Sequence, residues 1–164
     1  MSHPIIIDIY QHAWDLDRVA YPWLTPDFGP IARTYLPSEL EPQLKLAGVT
    51  ATVMVQSANS YADTEYMFEQ AEQYPWIIGV VGWVPLLYPD VAGRALERYA
   101  RNPLFRGVRH LIHNEANPRW LLQERVIESL KLLAERGLTF DVVATLPEHM
   151  ECIPVLSEKI PDLK

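Results

Sequence analysis

Tyr10, Gln11 and His12, then Gln56 and Ser57, Trp83, Arg109 and His110, and Thr145 each stand at the carboxyl end of a short apolar run. Parallel α/β folds gather their reacting groups at such ends, because loops converge there and side chains can point at a ligand. The set is polar and aromatic, and it suits a small oxygenated molecule. An imidazole such as His12 can carry a proton, hold a carbonyl or ligate a metal. Its structural alternative is a hydrogen-bonded histidine packed beneath Trp14. Arg109 lies inside a largely apolar run, where an unpaired guanidinium would be costly. It needs either a structural ion pair or a carboxylate or oxyanion gripped in bidentate fashion. His110 must leave an extended chain on the opposite side, so only one of the two faces a given pocket, and Arg109 is the one assigned to it.

The aromatic candidates divide in the same way. Tyr10, Trp14 and Trp83 can line a pocket or fill a core, and Gln56 can line one beside them. His149, near the start of a predicted helix, is expected at the surface, and Cys152 on that helix as a small buried residue. Asp141, inside the last apolar run, is read as an internal hydrogen-bond anchor. Gly79 and Gly82 lack the spacing of a dinucleotide fingerprint.

Composition narrows the classes. A net charge of −7 with 14 scattered Lys and Arg excludes phosphate-backbone tracking, so no nucleic-acid partner is expected. One cysteine excludes an internal disulfide and a Cys-based metal framework. Ile5-Ile6-Ile7 is too short for a signal core or a membrane span. The expectation is a cytoplasmic protein with a small-molecule substrate and no membrane partner.

The elements that would position these residues follow from five nearly unbroken apolar runs: Ile5 to Asp8, Ala51 to Gln56, Trp76 to Val84, Phe105 to Ile112 and Leu138 to Val143. Continuous rather than alternating runs predict strands covered on both faces, as in a parallel sheet. Helical patterns separate them. Ala92, Ala95, Leu96 and Tyr99 keep the i, i+3, i+4, i+7 rule with Asp90 placed to cap, and Val126, Leu130, Leu133 and Ala134 form a stripe that Gly137 can end. From the second run on, strands recur roughly every 30 residues, the spacing of βαβ units. The first interval is longer, and its Trp-, Tyr- and Pro-rich excess between His12 and Pro37 predicts an elaborated loop.

Five such units fit two folds. One is a partial TIM-type (β/α)8 barrel with parallel strands in sequential order, and the other a flavodoxin-like open sheet whose order reverses. The helix-exit pattern Glu72-Gln73-Tyr74-Pro75-Trp76 leads into a strand, and Glu158-Lys159-Ile160-Pro161-Asp162 repeats it with a sixth strand announced. The expectation is a single domain over 1–164, a truncated barrel able to self-associate through an open edge.

Further residues carry a resemblance. Asp8-Ile9-Tyr10-Gln11-His12-Ala13-Trp14-Asp15, Tyr21-Pro22-Trp23-Leu24, Val53 to Gln56, Gly79-Val80-Val81-Gly82-Trp83-Val84 and Phe105-Arg106-Gly107-Val108-Arg109-His110-Leu111 resemble, in order, the N-terminal part of amidohydrolase-related proteins. The similar subgroup holds sugar-lactone hydrolases and the pyrone-dicarboxylate lactonase. That resemblance implies water-mediated opening of a small lactone. His12 and Arg109 would be catalytic, and Tyr10, Trp14, Gln56, Trp83 and His110 would bind substrate. A divalent, zinc-like metal is implied on the strand-one histidine pair in some relatives, while others hold substrate there. Here Tyr10 replaces the first histidine of that pair and leaves His12. The general base, an aspartate of the eighth strand in the family, is expected beyond residue 164, so the chain alone is expected to be inactive.

Overall fold

A computed structural model describes residues 5–164. Five strands form one sheet in the order β1-β2-β3-β4-β5. They are β1 (Ile7–Gln11), β2 (Ala51–Val55), β3 (Ile77–Gly82), β4 (Phe105–His110) and β5 (Thr139–Val142). Sequential parallel order is that of a (β/α)-barrel sheet, and the reversal that a flavodoxin-like sheet requires does not occur. The chain divides after Val81 into two compact units.

In the first unit, β1 pairs with β2 from Ile7↔Ala51, and β2 with β3 from Thr52↔Ile77, both parallel. The β1 ladder is irregular between Asp8 and Gln11. There the Asp8 carboxylate accepts from the Tyr10 backbone N–H and the Gln11 amide. The strand therefore runs past Asp8, and Tyr10 lies within it rather than at its exit. Nor is β1 covered on both faces: Ile7, Ile9 and Tyr10 are exposed. The expected long loop is present, tied by an antiparallel bridge between Trp14 and Tyr35. It leads into α1 (Pro37–Ala47), which starts on proline and ends on Gly48 at φ 72°, where a side chain would be strained. In α2 (Tyr61–Gln73), Ser60 Oγ caps the Asp63 N–H at 3.2 Å. Val19, Tyr21, Ala58 and Tyr66 form a core against Trp14, Trp23 and Leu24.

In the second unit, α3 (Pro89–Tyr99) buries Ala92, Ala95, Leu96 and Tyr99 as the periodicity predicts. Each large apolar side chain so buried contributes about 1.5–3 kcal/mol. Pro89 takes the first helical position, so Asp90 sits inside the first turn and does not cap it. There its charge favours the helix N-terminus through the macrodipole. In α4 (Glu124–Glu135), Val126, Leu130 and Leu133 face inward, and Ser129 Oγ donates to Leu86 O at 2.7 Å. Gly137, at φ 64°, ends this segment as expected. β4 and β5 run in parallel with Gly107↔Thr139 and Arg109↔Asp141 in register. Finally, α5 (Pro147–Lys159) buries His149, Cys152 and Leu156. No helix among the described residues is long and apolar enough to cross a membrane.

Candidate active site

The predicted residues fall into two groups, one per unit. In the first unit, His12 follows β1 directly, and its Nδ1 lies 2.8 Å from Val55 O at the end of β2. A carbonyl oxygen only accepts, so Nδ1 carries the proton and Nε2 the lone pair. Ser57 Oγ is farther from the same nitrogen, at 3.4 Å, and the shorter bond decides the tautomer. The edge of Tyr10 meets the His12 ring with centroids 4.9 Å apart. Tyr10, His12 and Trp14 line one cleft of about 510 Å³, together with Tyr35, Met54 and Trp76. Trp14 is not stacked on His12. It packs edge-on against Trp23 and Tyr35, both at 5.7 Å, and donates its indole N–H to Arg33 O. At the cleft wall, Arg33 grips Glu39 through two hydrogen bonds of 3.0 and 2.8 Å while lying over the Tyr35 ring.

Gln56 is fully buried beyond β2, its amide donating to Asn59 Oδ1 at 3.2 Å, and it is not among the cleft residues. What organises that segment is Asp63, a residue that sequence reasoning missed. Its buried Oδ2 accepts from the Ser57 and Ala58 N–H groups at 2.7 and 3.0 Å. A carboxylate reaching back from the first turn of the next helix pins the strand exit. Trp23 adds a bond from its indole to Ser57 O at 2.6 Å.

In the second unit, Arg109 and His110 are both buried, at 4 % and 5 % exposure. Arg109 runs beside Asp141 in the β4–β5 register. Burial pushes the Asp141 carboxyl up, and the Arg109 charge opposes that rise. His113, just past β4, is held below the usual imidazole range by burial, with Arg109 and His149 acting in the same direction. His149 is not at the surface, as expected from its helix position, but buried at 1 %. Its Nδ1 accepts from the Thr145 and Leu146 N–H groups at 3.2 and 3.3 Å and so caps the start of α5. His110 Nδ1 lies 3.0 Å from the Trp83 indole nitrogen, and its Nε2 2.8 Å from Glu115 Oε1. Its ring stacks on Trp120 with centroids 4.1 Å apart. Burial pulls the His110 imidazole down against the opposing effect of Glu115. Glu115 and Trp120 also escaped the sequence reading.

Among the described residues, no three His, Cys, Asp or Glu side chains gather into a metal-holding group. Around His12 the donor set is one imidazole and a phenol, with the Asp8 carboxylate already taken up by its own strand. These donors alone are fewer than the three or four protein ligands of a zinc site.

The family profile described as Amidohydrolase matches residues 7–164. An L-fucono-1,5-lactonase of Burkholderia ambifaria is 32 % identical over 159 residues, which is 96 % of this chain and 54 % of that protein. An L-fucono-1,5-lactonase of Burkholderia multivorans is 35 % identical over 113 residues, 69 % of this chain and 38 % of that protein. A crystal structure of an amidohydrolase from Burkholderia multivorans with bound zinc superposes with a TM-score of 0.81 at 28 % identity, covering 94 % of this chain and 55 % of that one. The chain thus spans about half the length of the first of these relatives. With a profile match that takes in every element from β1 to α5, the chain belongs to the amidohydrolase family.

Proposed function

We propose that the full-length protein is a hydrolase that opens a small sugar-acid lactone with water. Water adds to the carbonyl carbon, the ring C–O bond breaks, and the ring oxygen leaves as a hydroxyl once it takes a proton. The product is a hydroxy acid. The observation that carries this reading is His12, locked by Val55 O as the tautomer whose lone pair is on Nε2, in the wall of an aromatic cleft. Through Nε2 it accepts from the attacking water or, once protonated, donates to the carbonyl oxygen. In the first unit Tyr10 and Trp14 shape the cleft around His12, with buried Gln56 behind the strand exit. In the second, Arg109 would bind a carboxylate or developing oxyanion, and Trp83 would offer an aromatic surface with buried His110 behind it. The similarity to two L-fucono-1,5-lactonases supports the substrate class. The 164-residue chain alone is proposed to be inactive, and the protein to be cytoplasmic.

The test is ring opening of a panel of aldono-1,5- and 1,4-lactones, including L-fucono-1,5-lactone, followed by acid release. Full-length protein should accelerate at least one member over the buffer rate. No acceleration across the panel would overturn the reading. A second reading is an interaction module that pairs with its own copy along β1, favoured by the exposure of Ile7, Ile9 and Tyr10 there. It predicts a dimer in solution that Ile9→Lys dissolves.

A further inference from the structure

The loop after β4 wraps the His110 ring. A 3-10 turn at Ile112–Asn114 folds the chain back, with the Glu115 N–H bonded to Ile112 O at 3.1 Å, and delivers the Glu115 carboxylate to His110 Nε2 at 2.8 Å. A second such turn, Trp120–Leu122, lays the buried Trp120 indole against the ring face. On the other edge, the Trp83 indole nitrogen stands 3.0 Å from Nδ1. An indole N–H only donates and a carboxylate only accepts, so one arrangement of ring protons satisfies both contacts. Nδ1 must be bare and Nε2 must carry the proton. A doubly protonated ring would set Nδ1–H against the indole N–H. Burial, which disfavours the charged ring, acts in the same direction as this geometry.

We propose that Glu115 is a positioning residue: it holds His110 as the neutral Nε2–H tautomer, and His110 Nδ1 in turn fixes the Trp83 indole at the end of β3. Trp83 is half-buried immediately after its strand, where a ring held by its N–H presents a defined edge and face to a ligand. A carboxylate behind a histidine that orients its far nitrogen is a general device for setting a tautomer. Here the far nitrogen serves an aromatic wall instead of a reacting atom. The consequence for substrate rests on the lactone-binding role proposed above for Trp83, whereas the tautomer and the indole bond do not.

The experiment uses full-length protein labelled with 15N at the His and Trp rings, with resonances assigned through His110→Asn and Trp83→Phe. At pH 7.5 the wild-type His110 should show a protonated Nε2 and a bare Nδ1, with the Trp83 indole N–H slow to exchange. Glu115→Gln keeps an acceptor oxygen and should keep both signatures. Glu115→Ala should mix the tautomers, move the Trp83 indole resonance and raise the lactone KM about fivefold, the worth of one hydrogen bond, with kcat less affected. A wild-type ring protonated at Nδ1 overturns the proposal whether or not the alanine variant folds. So does an unmoved Trp83 indole in a folded Glu115→Ala protein. Correct ring signatures with no KM change would leave the positioning chain standing and remove Trp83 from the substrate wall.

Discussion

Gly107, the first residue of the motif Gly107-Val108-Arg109-His110, faces Thr139 across the β4–β5 ladder, and Gly107→Ala should be among the most damaging small substitutions in the chain. A Cβ at this position would fall on Thr139 Oγ1, 2.5 Å from the Thr139 backbone oxygen and 3.1 Å from its carbonyl carbon. Rotating the threonine removes the first clash only. The second needs the strands to part by roughly an ångström before an ordinary contact of 3.4 Å is restored, at the point where Gly107 and Thr139 are in register. Overpacking of this kind costs about 1–3 kcal/mol, and a weakened ladder hydrogen bond adds about 1 kcal/mol. For a chain of this size, 2–4 kcal/mol corresponds to a fall in Tm of roughly 5–15 °C. Thermal melts by circular dichroism would measure it. Because the obstacle is backbone, the double variant with Thr139→Ala should recover little, giving a small coupling energy. A Gly107→Ala protein melting within about 2 °C of wild type, or full rescue by Thr139→Ala, would refute the reasoning.

Asp63→Ala strips the acceptor from two buried N–H groups, those of Ser57 and Ala58, and should cost about 2–4 kcal/mol in urea unfolding, with Asp63→Asn milder because it keeps one oxygen. His110 gives a pH signature. The fold holds its imidazole below the ordinary 6.5, so the unfolded chain takes up the proton first. Stability should therefore be intact above that value and lost as pH falls towards the depressed folded value. His110→Asn should flatten the slope of Tm between pH 7.5 and 5.5, leaving the part owed to His113, which is shifted the same way. Cys152 is fully buried, with its thiol directed at Glu148 O and pushed up by burial, so a thiol reagent should react only after denaturation.

The strands were legible because a parallel sheet covered by helices writes itself as unbroken Val and Ile runs, as in Val53 to Val55 and Val80 to Val81. The exception is instructive. Asp8 looked like the end of the first run, yet an edge strand tolerates a carboxylate whose oxygens are taken up by its own Tyr10 N–H and Gln11 amide. Arg109 was readable as a buried cation because apolar residues and glycine precede it in its run, whereas Arg106, near the start of the same strand, is exposed. Glu115 and Asp63 were not readable, since what makes them matter is a loop turning back five or six residues, and no side-chain periodicity encodes that. His149 misled for a related reason. Ser, Thr, Asp and Asn are the usual signs of a helix start, and an imidazole that caps two backbone N–H groups looks in sequence like any surface histidine.

The proposed chemistry depends on His12 acting through Nε2. Asparagine at this position can still donate an amide N–H towards Val55 O but has no atom in the place of Nε2. The decisive measurement is therefore kcat/KM of full-length His12→Asn against wild type on the best lactone of the panel, with Tm recorded alongside. We expect a loss of at least about 100-fold, the range for removal of an acid–base group, with Tm within a few degrees. Retention of activity within about threefold in a folded variant would contradict the account.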